Sequence, residues 1–339
     1  MCLGLSRVFQ GLLQLGEGAV ARVQSIALTL EKTYTFELKK PQGYSLQDTG
    51  KVYSFGWMYD GATVKVEICD GSVAALHDDG ETITVEVFAE RGQRCWEDGI
   101  KGIPWSIGVG EDLGSYYAVA RGDPLVGGVV DAMPGLRLRS CSVWYAVLVA
   151  VCQQNASFKQ GWSMLYRLHL LASRRLRTPY GLYLEMPKPS QLSYEMLREA
   201  RLGYRAHTVM ELARRRVEQL DCSNVDSLRE VHGIGPYSYA LTRLLACRDY
   251  SVLPLDRWLK KLTAEAYRVP EHRAGAELSS RFGEWKGLAA LHTTIGFDAE
   301  PLRRALERLQ RGENRPGKTE PSPISLWKYT PPTALPVPR

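Results

Sequence analysis

The apolar residues of this chain change period partway along, and that change fixes the kind of fold open to it. From Thr33 to about Phe88 they tend to alternate with polar ones, as in "ATVKVEI" and "ETITVEVF", with Asp-Gly turn signals at Asp60-Gly61, Asp70-Gly71 and Asp79-Gly80. Period-two alternation broken by such turns is the pattern of an antiparallel sheet. After "DPLVGGVVDAMPGLRLRS" the pattern becomes helical. "SVWYAVLVAVCQQ" is apolar nearly all round, as a buried central helix is, and "SFKQGWSMLYRLHLLASRRL" is amphipathic. Further helices are expected at "SYEMLREA", "RAHTVMELARRRVEQL", "SLREV", "YSYALTRLLACR", "LDRWLKKLTAEAY" and "PLRRALERLQRG". From Glu313 onward the chain is rich in proline and reads as an extended or disordered tail. The expectation is an α+β protein. Residues 1–130 form an N-terminal extension and an antiparallel β domain, 131–312 a helical domain, and 313–339 the tail.

Charge divides at the same place. Residues 1–130 carry 11 Lys and Arg against 17 Asp and Glu, a net of −6, whereas residues 131–312 carry 28 against 18, a net of +10. A polyanion would bind the second region, although arginine clusters such as Arg174, Arg175 and Arg177 are also what solvated helix faces look like. No run of about 18 apolar residues appears, so no membrane span is expected. Charge and glycine interrupt "MCLGLSRVFQGLLQLGEGAVARVQ" where a signal peptide needs an unbroken apolar core, and the chain reads as intracellular. Its seven cysteines show no CxxC pair or close cluster. That argues against a disulfide framework, a zinc site or a four-cysteine iron–sulfur cluster, and suggests small buried apolar residues.

Chemistry concentrates in "VHGIGPYSYA", residues 231–240. A short helix, a hairpin of His232, Gly233, Ile234 and Gly235, and Pro236 opening an apolar helix make a tight helix-turn-helix. Its glycines let backbone N–H groups approach a phosphate at a helix N-terminus. A plain turn between helices would use the same residues. Twenty-one positions after Gly235 comes Asp256, in a "PLD" step where a loop turns into a helix and an aspartate is a good N-cap.

Hairpin, helix, loop, proline, aspartate and helix in that order closely resemble the helix-hairpin-helix DNA glycosylase superfamily. "PGLRLRSCSVWYAVLVAVCQQNASF", "LGYRAHTV" (202–209) and "FGEWKGLAAL" (282–291) are similar to segments of its 8-oxoguanine glycosylase branch, over about Thr33 to Gly312. The resemblance implies an N-terminal antiparallel β domain on a helical glycosylase domain, with duplex DNA as partner. Asp256 would be the carboxylate that stabilises an oxocarbenium-like sugar and can orient or deprotonate a water. Gln154 and Asn155 would fill or probe the duplex opening, Phe297 would stack on the flipped base, and Thr293 would reach its edge. Each also has a plainer structural reading, Phe297 as core and Gln154 and Asn155 as caps of the central helix.

Tyr237 departs from the 8-oxoguanine branch. Bifunctional members carry a lysine there that forms a Schiff base, which a phenol cannot do. The 3-methyladenine glycosylases place an aromatic at this position, and an aromatic suits a cationic alkylated base. Lys260 and Lys261 lie on the next helix, where the motif has no nucleophile, and Trp258 stands where some members have a phosphate-contacting histidine. The expected activity is monofunctional excision of a damaged purine, 8-oxoguanine or alkylated. A lesion-binding sensor and a glycosylase with a relocated lyase lysine remain as alternatives. No cofactor, metal or iron–sulfur cluster is expected, with a hairpin-bound monovalent cation allowed for. The protein is expected to act as a monomer, with the proline-rich tail available to a protein partner.

Overall fold

The computed structural model describes residues 27–332. The alternating half folds as its pattern predicts. Strands β2 (Glu31–Lys39), β3 (Val64–Cys69), β4 (Ser72–Asp78) and β5 (Thr82–Ala89) form an antiparallel sheet in the order β2-β5-β4-β3. Gly71 and Gly80, both at positive φ, sit in the two tight turns that join β3 to β4 and β4 to β5. Along β5 buried and half-buried residues alternate, and Ile83, Val85 and Val87 share a core with helices α1 (Leu46–Lys51) and α3 (Ile103–Ile107). A short α2 (Trp96–Gly99) leads into α3.

The helical half begins earlier than residue 131. Helices α4 (Gly114–Ala120) and α5 (Gly127–Ala132) bury Tyr116, Ala120 and Val129 in one core with Leu259, Leu278, Leu288 and Phe297 from later in the chain. The expected boundary at 130 therefore falls inside a packed unit, because "SYYAVA" and "GGVVDA" are too short to signal helical period. At the centre lies α6 (Val143–Gln153), capped by Ser142 and buried along nearly its whole length, as its all-apolar sequence requires. It packs between α7 (Phe158–Ala172) and α10 (Pro236–Cys247). A capping box of Ser157 and Gln160 starts α7.

After α7 the chain leaves the helical pattern for a hairpin, β6 (Arg175–Thr178) and β7 (Gly181–Leu184), with β1 (Leu28–Thr29) parallel to β6. The end of "SFKQGWSMLYRLHLLASRRL", helical by pattern, thus runs on into a strand. Helices α8 (Tyr194–Glu199), α9 (Arg205–Arg214), α11 (Arg257–Tyr267), α12 (Ala274–Phe282), α13 (Lys286–Gly296) and α14 (Leu302–Gln310) complete the domain. "SLREV" is a 3-10 turn rather than an α-helix, and the run after Arg214 breaks at Arg216, whose φ is +54°.

Two expectations are corrected here. The segment after Glu313 is a packed strap as far as residue 332, not a disordered tail. Asp298 accepts the N–H groups of Gly317 and Lys318 at 2.8 Å each, Tyr53 N–H donates to the Pro323 carbonyl at 2.8 Å, and Gly56 N–H to that of Thr330 at 3.0 Å. Leu326 is fully buried and Trp327 meets Tyr59 edge-on at 5.1 Å. A proline-rich segment needs no core of its own when it borrows one. The cysteines also differ: Cys69 is bridged to Cys95 and Cys222 to Cys247, with Cα atoms 6.2 and 5.6 Å apart. Separations of 26 and 25 residues give no local pairing signal, and tertiary folding brings the partners together. Cys152 is a buried free thiol, as expected. The expectations for residues 1–26 and 333–339 lie outside the described residues. Among the described residues no helix is long and apolar enough to cross a membrane.

Candidate active site

The hairpin is built by two glycines with different duties. Gly233 has φ +90°, and a Cβ there would stand 2.1 Å from Thr208 Oγ1, so both conformation and space demand glycine. Gly235 has φ −90° and caps α10, and among the described residues nothing lies within 4 Å of the place its Cβ would take. Ile234 anchors the turn in the core while His232 is exposed. Pro236 occupies the first helical turn and no side chain caps it. Gly235 and Pro236 at the start of α10 are exposed, and a helix N-terminus open to its surroundings is an arrangement that suits an anion.

Asp256 caps α11, its Oδ1 accepting from Leu259 N–H at 2.7 Å. Its carboxylate is reached by solvent yet largely enclosed by protein. Burial raises its pKa above the ordinary aspartate value, opposed by the N–H groups of Leu259 and Trp258 and by the charge of Lys260. Tyr237, on the first turn of α10, has its phenol pushed up by burial and then by the nearby Asp256 charge. Both residues line a cavity of about 730 Å³ between the sheet and the helical domain. Trp258 lines it as well, its indole N–H bonded to the Glu300 carbonyl at 2.9 Å, which makes it a packing residue.

The other expected site residues separate. Gln154 does not project freely: its amide donates to the Gly233 carbonyl and to Ser238 Oγ, each at 2.7 Å, and Arg205 holds its backbone carbonyl oxygen. It braces the hairpin against α6. Asn155 is exposed at φ +45° and donates to the Tyr204 hydroxyl at 3.3 Å. Tyr204, 59% exposed with the Arg205 guanidinium on its ring, adds an aromatic to this projecting point.

Phe297 and Thr293 are not on the cavity wall. Phe297 is fully buried in the core beneath the Arg308 guanidinium, and Thr293 is fully buried with its hydroxyl turned back to the Ala289 carbonyl at 2.8 Å. Thr294 and Asp298 line the cavity in their place. Tyr53 and Trp162, which no sequence motif marks, line it from the β domain and from α7. Lys65 and Lys159 are the two lysines on its wall among the described residues. Lys65 is paired with Asp60 at 2.9 Å, and Lys159 has no ion-pair or hydrogen-bond partner among them. Lys260 and Lys261 are off the wall, Lys261 facing Glu271 at 3.8 Å. Among the described residues no group of three or more His, Cys, Asp or Glu could hold a metal ion.

No protein-family model matches this sequence, and no curated protein matches it either. Solved structures do resemble it. An 8-oxoguanine glycosylase/lyase of Clostridium acetobutylicum, in its apo form, superposes with a TM-score of 0.59 at 17% identity, over 78% of this chain and 97% of that one. The same enzyme with double-stranded DNA containing cytosine opposite 8-oxoguanine gives 0.60 at 16% identity, over 83% and 98%. A 3-methyladenine DNA glycosylase from Archaeoglobus fulgidus gives 0.65 at 17% identity, over 76% and 96%. The fold is that of the helix-hairpin-helix DNA glycosylases.

Proposed function

We propose that this protein is a DNA glycosylase that draws a damaged purine out of duplex DNA and hydrolyses its N-glycosidic bond. The observation that carries the reading is that Asp256 and Tyr237 line one cavity, Tyr237 on the first turn of a helix whose N-terminus and glycine hairpin suit a phosphate. As the bond to the base lengthens, the sugar gains positive charge, which the Asp256 carboxylate stabilises across a partly enclosed site. The same carboxylate can take a proton from the attacking water, and its raised pKa makes it a better base than an ordinary aspartate. Asn155 and Tyr204, standing out beside the hairpin, suit entry into the space that the extruded base leaves. On this reading the protein works as a monomer on intracellular DNA, with a carboxylate and water in place of a cofactor.

Asp256→Asn keeps an N-cap and removes the charge. It should abolish excision from duplexes carrying one 8-oxoguanine, hypoxanthine or alkylated adenine, while the affinity for duplex DNA stays largely intact. Excision that survives the substitution removes Asp256 from the reaction. Because only the ionised carboxylate serves, single-turnover excision should fall on the acid side at a pH above the ordinary aspartate range.

One observation favours a second reading. Lys159 lines the cavity without a protein partner among the described residues, so a Schiff base could form there instead of at position 237. Strand cleavage without alkali and a borohydride-trapped complex lost in Lys159→Ala would establish it, whereas product seen only after alkali supports hydrolysis.

A further inference from the structure

Phe297 lies in the core, and the aromatic rings on the cavity wall include Tyr53, Phe158, Trp162 and Tyr237. An extruded base gives up its stacking in the duplex, and an aromatic face in the pocket restores part of it. Tyr53 lies at the junction of the two halves of the chain, on the cavity wall. Its ring stacks on Trp162 with centroids 5.8 Å apart and planes within 14°. Its backbone has φ +50°, a conformation rare for a bulky side chain. The contacts around it hold that conformation in place. Its N–H donates to the Pro323 carbonyl of the strap, and Arg139 lies against its carbonyl while bonding Ser54 Oγ at 2.5 Å. Among the described residues neither the Tyr53 nor the Tyr237 hydroxyl has a hydrogen-bond partner, and the two phenols lie close enough to interact electrostatically.

We propose that Tyr53 is a base-stacking residue of this pocket, presented by the β domain to work with Tyr237 from the hairpin helix. The inference rests on the glycosylase reading and adds a substrate contact to it. A ring fixed in advance by Trp162, Arg139 and the strap loses little freedom when a planar base meets it, so the contact is realised almost in full. Any purine has the face required. The contact therefore selects for an extruded base over a paired one, rather than for one lesion over another.

The test is made in Asp256→Asn protein, which on the glycosylase reading should bind without cutting. Fluorescence anisotropy gives the affinity for a duplex carrying one 8-oxoguanine or one hypoxanthine, relative to the undamaged duplex. Tyr53→Leu keeps apolar bulk on Trp162 and removes the π-face, Tyr53→Phe keeps the face, and Tyr53→Ala removes both. The lesion preference should fall about 5- to 100-fold in the Leu and Ala proteins, survive in the Phe protein, and leave binding of undamaged duplex unchanged. Should Tyr53→Ala fail to fold, the Leu and Phe pair decides. A preference retained in Tyr53→Leu overturns the proposal, as does an Asp256→Asn protein with no lesion preference to lose. Excision by the otherwise unaltered protein is scored separately on the same duplexes. A lesion preference that depends on Tyr53, without any excision, would sink the glycosylase reading and keep the stacking contact.

Discussion

Gly233 and Gly235 stand two positions apart and answer to different constraints. An alanine at 233 has to adopt positive φ, at about 1 kcal/mol, and displace the Thr208 side chain, so Gly233→Ala should lower the melting temperature by several degrees. Gly235→Ala meets nothing within 4 Å among the described residues and should melt like the parent protein while losing affinity for duplex DNA, since its methyl group takes up the space next to the helix terminus. Equal melting and equal affinity in Gly235→Ala would remove the phosphate role of the hairpin. Glu67 offers a test by pH. Burial pushes its carboxyl from the ordinary 4.5 up to about 8, with the Met186 N–H opposing and Glu185 adding to the rise. The folded protein then holds a proton that the unfolded chain releases, so Glu67 favours folding below about 4.5, and that contribution is lost as pH climbs through about 8. Thermal melts between about pH 5 and 9 should show the decline, and Glu67→Gln should flatten it. At this scale the sequence is legible wherever one residue's chemistry suffices: a glycine pair that makes a tight hairpin, an aspartate that caps a helix, a phenol that cannot form a Schiff base.

Elements carry the part that single residues do not. In α13 every residue from Gly287 to Gly296 is buried except Thr294, so no polar face marks which side looks into the cavity. By resemblance Thr293 and Phe297, one turn apart, belong to the pocket side, yet the helix turns both into the core and shows Thr294 instead. Periodicity reads an amphipathic helix and falls silent on one buried all round. The strap misleads for a related reason: composition speaks of what a segment can bury alone, whereas Leu326 and Trp327 pack into surfaces that other parts of the chain provide. The Cys222–Cys247 bridge ties the approach to the hairpin to the last residue of α10. Closing a loop of that length restricts the unfolded chain by about 3.5 kcal/mol on the chain-entropy estimate. Cys222→Ser with Cys247→Ser should therefore melt several degrees below the parent protein under oxidising conditions. The two should converge once dithiothreitol is added, and equal melting without it would mean the bridge adds nothing to stability.

For the molecule as a whole, the chain is acidic toward its start and basic later, and residues from Leu113 onward already belong to a core made with the later helices. Affinity for undamaged duplex should fall linearly on a log–log plot as salt rises, because each neutralised phosphate releases counterions. A flat profile would take duplex DNA away as the partner. The fold class and the order of its parts can be read from pattern alone, because period two and period 3.6 are local signals. The joining of the halves cannot, because it depends on contacts such as Tyr53 to Pro323 and Gly56 to Thr330, between residues some 270 positions apart. Those contacts set an order of events on the ribosome. The sheet strands emerge first, and Phe55, Val73 and Phe88 then wait for the helices that share their core. The peptide group of Tyr53 waits for Pro323 to be translated. A chain ending before the strap would carry Asp256 and the hairpin but lack the bonds that Pro323 and Thr330 make to Tyr53 and Gly56, so the pocket wall is fastened only when the last part of the chain is in place.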